Sequence, residues 1–192
     1  TKERIYNCAY RLFAEKGYDS TTVAEIAAAA GISIGGFYHH FKNKEEIMLL
    51  WISEFDSKYL KYYQEVLCAP GMAGVSIVDK LVLMMVEANR VFSANGPMLS
   101  RMAYALMLRD SKVGDIIIRP DRSYYRIIEQ MVGQALAQGY FPPETGIAKV
   151  VQDVTIICRG CMVEWLLRRV EADPAEMTSS LLIQYCTGLR IK

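Results

Sequence analysis

The chain has 192 residues, enough for one sizeable core or two small ones sharing a helix. Hydrophobic residues make up 52% and charged residues 22%, which excludes a disordered chain, and a formal net charge of +1 excludes a histone-like polycation. No stretch reaches the roughly 18–20 apolar residues of a membrane span. The charged start Thr1-Lys2-Glu3-Arg4 enters a helix pattern at once, so no signal peptide is expected and the cytoplasm is the expected compartment.

Helical periodicity runs through almost the whole chain, and strand alternation is nowhere convincing. The first helix spans about Lys2 to Lys16, with Ile5, Ala9, Leu12 and Phe13 on one face and Gly17 at its end. Thr22 opens the second, with Glu25 placed to complete a capping box, and Gly31 stops it. Ser33 caps a third over Ile34 to about His40, and Asn43 opens a fourth that continues to about Leu67. Further helices are expected near 76–94, 97–109, 121–138, 144–170 and 174–189, about nine in all, separated by Asn95-Gly96-Pro97, Gly139 with Pro142-Pro143, and Asp173-Pro174. The pattern is weak between Asp110 and Pro120. The expected fold is all-α: a three-helix DNA-binding domain over residues 1–46, joined by the fourth helix to a helical ligand-binding and dimerisation bundle over 47–192.

The second and third helices are short and separated by Ala30-Gly31-Ile32. Two short helices about a Gly-containing turn form the helix-turn-helix signature, whose second helix lies in the DNA major groove. Thr21-Thr22-Val23-Ala24-Glu25-Ile26-Ala27, Ala30-Gly31-Ile32-Ser33, Gly35-Gly36-Phe37-Tyr38-His39-His40-Phe41 and Lys44-Glu45 together resemble the TetR family of one-component transcriptional regulators. The resemblance covers about Ile5 to Leu49 without gaps and implies an all-helical body for the rest. The sequence departs from the commonest family pattern at Ile34 and Gly36, which bears on the operator sequence.

Physical reasons stand beside the resemblance. Two consecutive glycines in a short helix each cost about 1 kcal/mol relative to Ala, so something must come close there, or the turn is simply frayed. The DNA-contacting set is therefore Thr22, Ser33, Ile34, Gly35, Gly36, Tyr38, His39 and Lys44. Ile34 to Gly36 face bases, and Tyr38 and His39 reach phosphate oxygens or base edges. Lys44 with the first turn of the fourth helix, and Thr22 from the second, are expected at phosphates. Residues 1–50 carry six basic and six acidic side chains, so one copy is expected to bind weakly and two copies to be required.

In the body, ten methionines suggest either adaptable core filling or a pocket that reshapes around an apolar or aromatic effector. Such a pocket is placed among Met85, Asn89, Phe92, Met102, Tyr124, Ile128, Met131, Cys158 and Trp165. Asn89 needs a partner, either a ligand or a neighbouring group. Cys158-Arg-Gly-Cys161 spells a CxxC, but inside a helical pattern and far from His39 and His40 it reads as a buried pair; no metal or cofactor is expected.

A homodimer is expected through Val150, Val154, Ile157, Cys161, Leu182, Tyr185 and Leu189 on the last two helices, whose apolar stripes look too long for one bundle. The sequence-level reading is a dimeric, ligand-released repressor of a palindromic double-stranded operator, cytoplasmic and nucleoid-associated when bound. The alternatives are a helical adaptor or an enzyme retaining this N-terminus, although no nucleophile motif, phosphate loop or metal spacing is present.

Overall fold

The computed structural model describes residues 1–94, 96–109, 111–168 and 173–189, with side chains at all of them except 111–113. The ten α-helices among these residues are α1 Lys2–Lys16, α2 Val23–Ala29, α3 Ile34–His40, α4 Glu45–Tyr62, α5 Ile77–Ser93, α6 Gly96–Arg109, α7 Ser111–Ile117, α8 Ser123–Ala137, α9 Ile147–Arg168 and α10 Pro174–Leu189. The additional element is α7, which falls in the segment where the pattern is weak. The ends of the expected helix 144–170 at residues 169–170, and Asn95 and Asp110, lie outside the described residues. No helix among the described residues is long and apolar enough to cross a membrane.

Two compact units divide the chain: Thr1–Glu54 with Asn95–Ile118, and Phe55–Ala94 with Arg119–Lys192. The first unit thus takes in α6 and α7, which the expected boundary after residue 46 assigns to the body. The reason is packing: α6 lies on α1, and Arg109 at its last turn pairs with Asp19 at 3.0 Å. Capping fixes the short elements. Thr22 Oγ1 accepts from the Glu25 N–H (3.2 Å) while the Thr22 N–H donates to Glu25 Oε2 (2.8 Å), the reciprocal box anticipated for α2. Ser33 Oγ accepts from the Gly36 N–H at 3.0 Å to start α3. Gly17 stands at φ 89° and Gly31 at φ 62°, conformations an L side chain resists, and each ends its helix.

In the second unit α5 packs against α8, α9 and α10, consistent with its apolar residues on nearly every side: Val78, Leu81, Met84, Met85 and Ala88 are all buried. α4 does not run as a plain α-helix to Leu67. Its last turn, Tyr63–Leu67, widens into a π-turn, with the Cys68 N–H reaching back to the Tyr63 carbonyl at 3.0 Å. Leu67 is thereby tucked into the core. Asp56 and Arg122 join α4 to the start of α8 through two bonds of 2.9 and 2.7 Å.

Candidate nucleic-acid interface

α3 divides its seven residues cleanly. Phe37 is fully buried, with Phe41 just beyond the helix end beside it at a ring separation of 5.7 Å, and together they anchor the helix. Ile34 and Tyr38 are 50% and 55% exposed, unusual values for large apolar or aromatic side chains. Gly35 and His39 are exposed with them, and His39 stacks edge-on against His40 at 5.1 Å. The glycines are informative. A Cβ on Gly35 would come no nearer than 3.8 Å to any neighbour, and one on Gly36 no nearer than 3.4 Å. Both have ordinary helical backbone, so nothing inside the unit requires glycine at either place. The two positions leave that part of α3 open to close approach from outside.

Thr22 makes the cap expected of it, whereas Lys44 is engaged otherwise than the sequence suggests. The Thr22 hydroxyl donates to Glu25 Oε2 at 2.8 Å and accepts the Glu25 N–H, so its polar capacity goes into the cap. Lys44 Nζ donates to the carbonyls of Tyr18 (2.7 Å) and Thr21 (2.9 Å) and stands 4.2 Å from the Tyr18 ring centroid. The N-terminus of α4 is also occupied: Asn43 Oδ1 accepts the Glu46 N–H at 3.0 Å, and the Lys42 N–H donates to Glu46 Oε2 at 2.8 Å. A second lysine, Lys16, is bonded to Glu25. Together with the Thr22 bonds this draws the Glu25 carboxyl down to about 2. The unit therefore commits two of its lysines internally. What it presents outward on α3 is neutral or imidazole chemistry.

Of the nine residues expected to line a pocket, the structure places six in the interior of the body. Met85, Asn89, Tyr124, Ile128, Met131 and Cys158 are all buried. Phe92 is half-buried with its ring edge towards Phe55, and Trp165 is half-buried. Met102 belongs to the first unit, where it lines a groove of about 350 Å³ with Tyr18, Met98 and Leu106. The Asn89 amide is satisfied by neighbours: it donates to the Cys158 carbonyl (2.9 Å) and Thr178 Oγ1 (2.6 Å), and its Oδ1 accepts from Cys158 Sγ (3.1 Å). Burial pushes the Cys158 thiol up to about 12, which makes it a poor nucleophile. Cys161 is buried as well, and both are free thiols.

The expected dimer face needs correction. Val150, Val154, Cys161 and Leu182 are buried, and Ile157, Tyr185 and Leu189 pack half-buried against the same core. Tyr185 even donates to Asp153 Oδ2 at 2.7 Å within the unit. The four buried side chains belong to the interior because α9 and α10 turn that stripe toward α5 and toward each other, while Ile157, Tyr185 and Leu189 keep part of their surface outside. The large apolar side chains left outside are Ile147, Ile156, Val163 and Leu167 on α9, with Leu181 and Ile183 on α10. Positions 156, 163 and 167 fall on one stripe of α9 with Gly160 between them. That spacing was readable in the sequence, but it runs parallel to the more apolar inner stripe.

A short helix pair with an outward glycine-bearing second helix, on an all-helical chain, defines a helix-turn-helix DNA-binding protein. Residues 5–50 match the family described as bacterial regulatory proteins, tetR family. The uncharacterized HTH-type transcriptional regulator YerO of Bacillus subtilis is 56% identical over 48 residues, 25% of this chain and only 17% of that protein. Over nearly the full length, the HTH-type transcriptional regulator UidR of Escherichia coli K12 is 25% identical, covering 99% of this chain and 89% of UidR. Among solved structures, that of a TetR-family regulator from Syntrophomonas wolfei superposes with a TM-score of 0.81 at 18% identity, over 99% of this chain and 96% of that one. Residues 5–50 thus carry a TetR-type DNA-binding domain, and the chain, similar over nearly its whole length to HTH-type regulators, is a DNA-binding transcriptional regulator. Its relatives are regulators, and no catalytic family is indicated.

Proposed function

We propose that the protein is a homodimeric, ligand-released repressor of a palindromic operator, acting in the bacterial cytoplasm on the nucleoid. The observation that carries the reading is the outer face of α3, where Gly35 and Gly36 lie between exposed Ile34 and Tyr38 without any internal need for glycine. Ile34, Gly35 and Gly36 meet base edges, Ile34 through a thymine methyl, while Ser33, Tyr38 and His39 meet the backbone. The dimer is supported by the exposed stripe Ile156, Val163 and Leu167 with Leu181 and Ile183, and by Gly160, beside which lies open space where another helix can come close.

The effector reading rests on the character of the second core. Its buried polar side chains among the described residues, Asn89, Thr155 and Thr178, carry no charge. An ionised group placed there would lose its hydration without gaining a counter-ion. Met84, Met85 and Met131 around it are side chains that repack easily. An uncharged apolar or aromatic molecule fits this chemistry. The test is selection of bound duplexes from random DNA, followed by gel shift of the winner against excess competitor. Nanomolar binding to two half-sites about one helical turn apart is expected. Equal affinity for every duplex would sink the reading.

A further inference from the structure

Lys44, expected at a phosphate, is engaged elsewhere, and the manner of its engagement assigns it a different part in DNA binding. The two carbonyls it holds, those of Tyr18 and Thr21, bracket the loop between α1 and α2. Tyr18 and Thr21 are 4% and 1% exposed, so neither carbonyl is readily solvated in place of this bond. Charge-assisted donation to buried carbonyls is among the stronger hydrogen bonds available. The ammonium also lies over the Tyr18 ring, at 4.2 Å. Two of its three hydrogens are therefore committed within the protein. The loop is tied a second time, to α6, by the Arg109–Asp19 pair at 3.0 Å.

We infer that Lys44 is a positioning residue. By gripping both ends of the α1–α2 loop it fixes where α2 begins, and so where α3 sits relative to the residue from which α4 departs. A lysine at a phosphate acts through its charge on DNA, whereas this one acts on DNA through Tyr18 and Thr21. The inference rests on the DNA-binding reading above and adds to it which residue holds the recognition helix in register.

The experiment compares wild type, Lys44→Met and Lys44→Arg by thermal melting without DNA. Each is then titrated, at several salt concentrations and well below its melting point, with the selected operator and with a scrambled duplex. Methionine keeps the apolar stem and removes both hydrogen bonds. Lys44→Met is expected to lower Tm by about 2–8 °C and to weaken operator binding about tenfold, with the salt slope unchanged. Lys44→Arg, whose guanidinium still donates twice, is expected to recover most of both losses. A slope reduced by about one unit with Tm unchanged would make Lys44 a phosphate contact and overturn the inference. A lower Tm with full operator affinity would overturn it too, leaving Lys44 as stabilising only. Failure of the regulator reading is distinguishable, because then the wild type itself would not separate the two duplexes.

Discussion

α3 and α9 both leave apolar side chains in water, yet they do so for different reasons. On α3 the exposed set, Ile34 and Tyr38, shares its face with glycine, serine and histidine, and the inward face is held by one fully buried ring, Phe37. On α9 the exposed set, Ile156, Val163 and Leu167, lies opposite an inward stripe that is itself apolar, including Val150, Val154, Cys158 and Cys161. The first face mixes backbone access with polar tips, as a surface reading DNA must. The second offers bulk and little else, which is the character the proposed pairing with a second copy needs. A helix with one apolar stripe declares its orientation from sequence. A helix with two does not.

The largest effect that can break this comparison comes from α3. Gly36→Leu is expected to leave the melting temperature within a few degrees, because a Cβ there meets nothing nearer than 3.4 Å. It should nevertheless remove most of the selectivity for the operator, a loss of about a thousandfold, the usual lower span between specific and non-specific binding. Competition gel shift reads this directly. Operator affinity surviving within tenfold would mean that the glycines serve no close approach.

Two neighbouring positions on α9 sharpen the other half. Val154 is fully buried while Ile156 is 56% exposed. Val154→Asp would put an unpaired charge in the core, at a cost of several kcal/mol, and should give little folded protein. Ile156→Asp is expected to fold with near-normal helicity and to dissociate dimer into monomer in sedimentation, lowering operator affinity with it. Monomer in the wild type at micromolar concentration, or unfolding by Ile156→Asp, would defeat the outer-stripe assignment.

The same contrast explains what was legible beforehand. Caps and turns are short-range signals, so the Thr22–Glu25 box, the Ser33 cap, and the stops at Gly17 and Gly31 are legible from spacing alone. The outward face of α3 followed, because Phe37 and Phe41 lie i, i+4 and only one face remains. The long-range assignments were not legible. Nothing local says that Lys44 turns back to carbonyls 23 and 26 residues earlier, or that α6 joins the N-terminal unit through Arg109 and Asp19. The inner and outer stripes of α9 lie on nearly opposite faces and are both apolar, so composition does not say which turns inward. Asn89 shows the same limit. Periodicity implies its burial, but its partners Cys158 and Thr178 come from two other helices.

A middle-sized effect is expected at that amide. Asn89→Leu removes bonds to the Cys158 carbonyl and Thr178 Oγ1 and leaves the Cys158 thiol without its Oδ1 acceptor. The partners keep other bonds, Thr178 Oγ1 to the Pro174 carbonyl at 2.7 Å and the Cys158 thiol to the Met85 carbonyl at 3.5 Å, so the loss should be about 1–2 kcal/mol, measured by urea unfolding. Head and body differ here as well: operator affinity of the folded variant should be unchanged, because no DNA-facing residue is touched. An affinity loss exceeding what the unfolded fraction explains would show that this knot of α5, α9 and α10 acts on DNA binding.

The smallest effect belongs to the head and depends on pH. The Glu25 carboxyl is drawn below its ordinary 4.5 to about 2, first by Lys16 and then by the Thr22 cap. A carboxyl whose value is depressed by folding contributes stability above its unfolded value, and that contribution is lost as the pH falls through the folded one. Between pH 4.5 and about 2 the bond to Lys16 should therefore fade. Glu25→Gln keeps an acceptor for the α2 cap while removing the charge. Wild type should melt slightly above the variant at neutral pH, and the two curves should converge toward pH 2. The pair is exposed, so added salt should shrink the neutral-pH difference as well. A gap that stays constant across the acid range would mean that Glu25 acts through cap geometry alone, and that the lysine opposite it contributes nothing to the seat of α2.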